Sequence, residues 1–118
     1  MSEPKESLIE VPSLETRMFH LSNGLELLVH EDHSAPVASV QAWVRTGAIH
    51  EGRFLGAGIS HFVEHMLFKG TERFPKTGEI AQRVESAGGD INAYTTFDHT
   101  VYYINAPREF AFQGAELL

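Results

Sequence analysis

The stretch that most narrows what this chain can become is Gly58-Ile59-Ser60-His61-Phe62-Val63-Glu64-His65-Met66-Leu67-Phe68. It contains His-x-x-Glu-His. A helix turns about 100° per residue, so positions four apart lie about 40° apart around its axis. His61 and His65 can therefore aim both imidazoles at one point, with Glu64 on the same side beside His65. Two imidazoles suit a zinc ion, and a carboxylate that does not ligate can serve as general base on a water. The apolar residues Phe62, Val63, Met66 and Leu67 occupy the rest of the helix surface. They are expected to bury the helix and leave the metal partly dry.

Composition sets the frame for that helix. At 118 residues the chain is one domain or part of one. Hydrophobic residues make up 42%, enough for a core, and the net charge is -7. An acidic chain without a basic face argues against a nucleic-acid partner. There is no cysteine, so disulfides and thiolate metal sites are excluded, and any metal must use His and carboxylate. No apolar run reaches the ~20 residues of a membrane helix, so no membrane partner is expected. Met1 to Pro12 is polar and acidic, with neither an apolar signal core nor an Arg-rich, acid-poor leader. A cytoplasmic location is the expectation, with the periplasm left open.

Residues 1–14 carry two prolines and mixed charges and read as a flexible tail, leaving 15–118 as the folded part. From Thr16 a strand runs into Asn23-Gly24, a hairpin turn signal, and returns through Leu25 to His30. Glu31 to Pro36 is a loop. Val37 to Thr46 alternates, with Ala38, Val40, Ala42 and Val44 on one face and Ser39, Gln41, Trp43 and Arg45 on the other. Gly47 to Gly58 reads as a loop closing over a helix start. The metal-ligand helix follows from about Gly56 to Lys69, with Gly70 as a left-handed stop. Thr77 to Ala87 is a second helix, capped by Thr77, with Ile80, Ala81 and Val84 as its apolar stripe. Gly88-Gly89 ends it. Asp90 to Thr96 is a short strand in which Ile91, Ala93 and Thr95 alternate with Asn92 and Tyr94. Thr100 to Ala106 is a stronger strand, and Pro107 stops it and opens a third helix at Arg108. The apolar Leu117-Leu118 ending suggests the N-terminal piece of something longer. The fold class expected is α+β: a two-layer sandwich, with a mixed, largely antiparallel sheet carrying its helices on one face.

A catalytic zinc usually has three protein ligands and one open position. His61 and His65 give two. Glu51, Glu72, Glu79, Glu85, Asp90, Asp98 and His99 are candidates for the third, and no spacing selects among them. His20, His30, His33 and His50 read as surface residues.

His61-Phe62-Val63-Glu64-His65-Met66-Leu67-Phe68-Lys69-Gly70-Thr71 is followed by Gly88-Gly89-Asp90-Ile91-Asn92-Ala93-Tyr94-Thr95 and by Asp98-His99-Thr100-Val101-Tyr102-Tyr103. In that order they resemble the start of a pitrilysin-family metallopeptidase, the group that includes insulin-degrading enzyme and the mitochondrial processing peptidase. Asn23-Gly24-Leu25 and Gly47-Ala48-Ile49-His50-Glu51 resemble its opening strands. The resemblance runs from about residue 16 to the end. It implies a zinc metalloendopeptidase acting on unfolded peptides, with one Zn2+ per site, His61 and His65 as ligands and Glu64 as general base. It implies a third ligand, a Glu several dozen residues beyond Leu118, so the isolated segment is expected to be inactive.

The resemblance further implies that a peptide substrate adds as a strand along Asn92, Ala93, Tyr94 and Thr95, with Phe68 and Tyr94 lining a pocket. It implies a second family half, in the same chain or in a partner subunit. Two other readings stand beside it. One is a non-catalytic partner subunit of the same family, although His61, Glu64 and His65 are all present. The other is a zinc enzyme of the S-ribosylhomocysteine lyase type, against which the Gly-Gly-x-x-Asn-Ala-x-Thr stretch argues.

Overall fold

In the computed structural model, residues 15–118 are described, and the tail expected over 1–14 lies outside them. The chain divides between Ala35 and Pro36 into two units. The described part of the first is a hairpin. Strands β1 (Thr16–His20) and β2 (Glu26–His30) pair antiparallel from Thr16↔His30 to His20↔Glu26. Asn23-Gly24 makes the turn as expected. Gly24 sits at φ 86°, the left-handed region an L side chain resists, and Asn23 Oδ1 accepts the Leu25 N–H at 3.1 Å.

The second unit is built on a sheet of β3 (Val37–Val44), β5 (Thr100–Pro107) and β4 (Asp90–Thr95), in the order β3-β5-β4. Both pairings are antiparallel, so among the described residues the sheet contains no parallel pair. The period-2 pattern decides which residues face which way. Val40, Ile104 and Ile91 stand in one cross-strand row and Val44, Thr100 and Thr95 in another, both on the inner face. Gln41, Tyr103 and Asn92 form a row on the opposite face, flanked by Trp43, Val101 and Tyr94.

Three helices cover the inner face, as the α+β reading requires: α1 (Ile59–Leu67), α2 (Glu79–Ser86) and α3 (Ala111–Leu117). Val84 of α2 packs with Ile104 and Ala106, and Ile91, Phe110 and Leu117 close around them. Two glycines permit this closeness. Gly114 brings α3 within 3.6 Å of the Val40 and Ile104 methyls, measured from where its Cβ would be. A Cβ on Gly89 would stand 2.7 Å from the Asn105 carbonyl oxygen and 2.8 Å from the Ala106 Cβ. Gly88, at φ 81°, turns the chain from α2 into β4.

Three local expectations are corrected. Thr77 does not cap α2: Gly78 holds that position, and the Thr77 hydroxyl donates to the Lys69 carbonyl at 2.9 Å. Gly70 is not a left-handed helix stop. The helix closes at Leu67, and Gly70 lies at φ 143°, where a Cβ would meet the Pro75 carbonyl oxygen at 2.8 Å. The apolar side of α1 is also open. Phe62 is 64% exposed and Val63 50%, with Met66 and Leu67 at 47% and 40%. Among the described residues α1 meets β4 through its Glu64 side instead, so the stripe that buries a carboxylate leaves the four apolar side chains facing outward.

Candidate metal centre

Residues Ala48–Phe54, expected as plain loop, form two short 3-10 turns broken at Gly52, which lies at φ 56°. This segment is docked onto the loop after β4. The Ala48 N–H donates to the Thr96 carbonyl at 3.1 Å and the Ile49 N–H to the Phe97 carbonyl at 2.9 Å. Gly47 makes that approach possible. Its backbone is extended, so any residue could adopt it, but a Cβ there would stand 2.5 Å from the Thr96 oxygen and 2.6 Å from the Phe97 carbonyl carbon. Gly47→Ala is therefore expected to push the two backbones apart and cost about 2 kcal/mol, read as a lower chemical-denaturation midpoint at unchanged slope.

The docked segment delivers Glu51 to the start of α1. Glu51 Oε1 accepts the Ser60 N–H at 2.9 Å and Oε2 accepts the Gly58 N–H at 3.2 Å. These amides belong to the helix end whose N–H groups lack partners within the helix, where negative charge is favoured. The Ser60 N–H, with help from Gly58, holds the Glu51 carboxyl below the usual carboxylate range. The sequence admits Glu51 as a possible third ligand. Its carboxylate is instead engaged in fixing the first turn, one residue before His61. Glu51→Gln is expected to lower the thermal midpoint by a few degrees and weaken zinc binding about 10-fold, as losses of outer support do. Isothermal titration beside a thermal melt checks both.

One turn along, the expected convergence is present. His61 Nε2 and His65 Nε2 stand 2.9 Å apart, their rings 4.6 Å apart and tilted by 46°. With a Glu64 oxygen, the donor atoms all lie within 4.8 Å of one another. Two nitrogens on a tetrahedral zinc are separated by about 3.3 Å, given bonds of about 2.0 Å. The observed pair is close enough to share one ion after a small ring adjustment, so the donor set fits zinc. Both imidazoles are exposed, whereas Glu64 is 6% exposed. Its Oε2 accepts a hydrogen bond of 2.5 Å from the Thr95 hydroxyl. Burial first, and then the Glu64 charge, push the Tyr102 phenol up from its ordinary value, which keeps it neutral beside the carboxylate.

Among the described residues no further His or carboxylate joins this group. His99 lies towards the opposite face of the sheet, stacked on Trp43 at 5.1 Å with Tyr94 edge-on at 6.0 Å. Its Nδ1 is 2.6 Å from Asp98, whose carboxyl His99 and then Thr96 hold low. Glu79 pairs with Arg83, and Glu72, Glu85 and Asp90 are exposed. Of the residues assigned to substrate, Asn92 and Tyr94 lie on the outer face of β4 and Ala93 and Thr95 on the inner one. Phe68 caps the C-terminal end of α1, on the helix side, whereas Tyr94 faces the other way.

Two roles in this arrangement go beyond those the sequence suggests: Glu51, a candidate ligand there, is a cap, and Thr95, a candidate substrate contact, is also a donor to Glu64. Thr95 left a trace in the sequence, a hydroxyl on the inward parity of an otherwise apolar alternation. Glu51 left none, because its reach depends on how the 3-10 turns fold.

An antiparallel sheet covered by helices on one face thus carries a buried glutamate and two converging imidazoles, a group that could hold a metal ion, on the helix beside β4. Comparison with known proteins agrees, for residues 26–115 match the insulinase family, peptidase family M16, and the chain belongs to that family. It is 35% identical over 106 residues to the mitochondrial-processing peptidase subunit beta of Dictyostelium discoideum, covering 90% of this chain and 22% of that one. It is 38% identical over 113 residues to subunit 1 of the mitochondrial cytochrome b-c1 complex of Bos taurus, covering 96% and 22%. The fold superposes on the crystal structure of a protease from Helicobacter pylori with a TM-score of 0.80 at 31% identity, covering 88% of this chain and 25% of that one. The chain thus spans about a fifth of the length of these two curated relatives.

Proposed function

We propose that this chain carries the ligand pair and the general base of a zinc-dependent metalloendopeptidase that hydrolyses peptide bonds of unfolded peptides. The observation that carries this reading is the His61–His65 nitrogen pair with the buried Glu64 carboxylate between them in sequence. His61 and His65 would hold the ion, and a third ligand would come from outside the described residues. A zinc ion supplies Lewis acidity, which makes water more acidic and a carbonyl more electrophilic. Glu64 takes the proton from the attacking water and returns it to the departing amide nitrogen, so one carboxylate serves as base and then acid.

Among the described residues β4 is one of the two edge strands of its sheet, β3 being the other. A peptide laid along Asn92 to Thr95 would pair with that edge by main-chain hydrogen bonds, which suits substrates without fixed structure. Thr95 is next to Glu64, so the peptide would pass the base. A second family half would complete the substrate chamber, and the similarity to a processing-peptidase subunit supports one.

The similarity to a subunit of the cytochrome b-c1 complex favours a second reading, a partner subunit without turnover. The intact His61, Glu64 and His65 set weighs against it. The test is cleavage of an unstructured fluorogenic peptide by the full-length protein, before and after chelation and with zinc restored. Chelator-sensitive cleavage that zinc restores is the expected result. Zinc retention without peptide cleavage would favour the partner subunit, and thioether cleavage of S-ribosylhomocysteine in its place would favour the lyase.

A further inference from the structure

We infer that Thr95 is a positioning residue for Glu64, acting through its hydroxyl; the inference rests on the peptidase reading above. The main chain of Thr95 belongs to the edge strand, but its side chain points inward. It stands on the inner face of β4, opposite Thr100 in the register, and the α1 carboxylate meets it there.

A threonine hydroxyl has one proton to give. Thr95 gives its proton to Glu64 Oε2 at 2.5 Å. Thr100, 6% exposed, is within reach of two acceptors, the Thr46 carbonyl at 2.9 Å and the Thr95 oxygen at 3.4 Å. The shorter contact takes the Thr100 proton, so the Thr95 hydroxyl keeps its own proton for Glu64.

The consequence is directional. No other hydrogen bond among the described residues reaches the Glu64 carboxylate, so Oε2 is occupied and Oε1 is left to receive a proton. A glutamate side chain has three rotatable bonds and no preferred aim of its own. Burial restricts it, and a hydrogen bond from a rigid strand selects one orientation. The same residue whose backbone would carry the peptide thereby fixes the base. Substrate register and base orientation share one anchor.

Valine and serine separate this role from packing. Thr95→Val keeps the shape and removes the donor, whereas Thr95→Ser keeps the donor and removes a methyl group. A packing role predicts that valine is tolerated and serine is not. A positioning role predicts the reverse. In the full-length protein, Thr95→Val is expected to lower kcat about 10-fold, with KM and zinc content unchanged. Thr95→Ser should stay within about 3-fold of wild type. Crystal structures of both metal-free variants give a readout independent of turnover. Glu64 Oε2 should remain on the serine hydroxyl and leave its position in the valine variant.

Valine at wild-type kcat, or valine outperforming serine, would overturn the inference while leaving the peptidase reading intact. If Glu64→Gln turns over like wild type, or wild type holds no zinc, the peptidase reading fails and takes this role with it. Should Thr95→Val not fold while Thr95→Ser does, the methyl group is excluded as the essential part and the serine structure decides. Glu64 off the serine hydroxyl counts against the inference, and Glu64 on it counts for it.

Discussion

Glu64→Gln in the full-length protein is expected to retain zinc at the wild-type level and to lose peptide turnover by a factor of about 100 to 10,000, the usual worth of a positioned general base. The substitution is nearly isosteric. An amide oxygen can still accept the Thr95 hydroxyl that now reaches Oε2, so the contact between α1 and β4 survives. The amide has no basic oxygen with which to take a proton from water. His61 and His65 stay in place, since their mutual contact does not involve Glu64. Stability is expected to hold or to rise slightly, because a side chain only 6% exposed loses the cost of keeping a charge out of water. Zinc counting, a thermal melt and single-turnover cleavage decide the matter. Retained turnover would remove Glu64 from the reaction. Lost zinc would mean that Glu64 is a ligand and that the base lies elsewhere.

Most of what makes that prediction possible is legible in the sequence. The helix and its converging imidazole pair follow from a spacing of four, and the strands follow from period-2 alternation in Val37–Val44 and Asp90–Thr95. These are local signals, carried by residues close in sequence. What the sequence left unread is non-local. Thr77 fits a helix cap by type, but the Lys69 carbonyl eight residues earlier claims its hydroxyl. Phe62 and Met66 are apolar, which predicts burial, yet both are exposed. Which stripe of α1 faces the sheet is settled instead by the Glu64–Thr95 contact, across 31 residues. Glu51 is one of several plausible carboxylates until two glycine-permitted features, the break at Gly52 and the close docking at Gly47, set it against the Gly58 and Ser60 amides. A motif can name the reacting groups because their spacing is local. It cannot name the groups that hold them, because those arrive from other elements.

Replacing either proposed ligand is expected to have an effect of similar size, read on a different axis. His61→Ala and His65→Ala should each weaken zinc binding by more than about 100-fold, the upper end of what outer-shell losses alone produce. Neither should harm the metal-free fold. Both imidazoles are exposed on α1, and alanine is the better helix former, so the metal-free melting point should stay level or rise a little. The difference appears when zinc is added. A ligand that binds only the folded state stabilises it by about 4 kcal/mol at a thousandfold excess over its dissociation constant, and wild type should show that rise. The variants should show almost none of it at the same zinc concentration. This contrast separates a ligand from a structural histidine, whose loss would lower the metal-free melting point and leave the zinc-induced increment untouched. The two substitutions should also be far from additive. The Nε2 atoms stand 2.9 Å apart and serve one ion, so removing the second after the first has little left to destroy. Wild-type zinc content in either single variant would reject the pair as ligands and with it the reading of this helix as a metal-binding element.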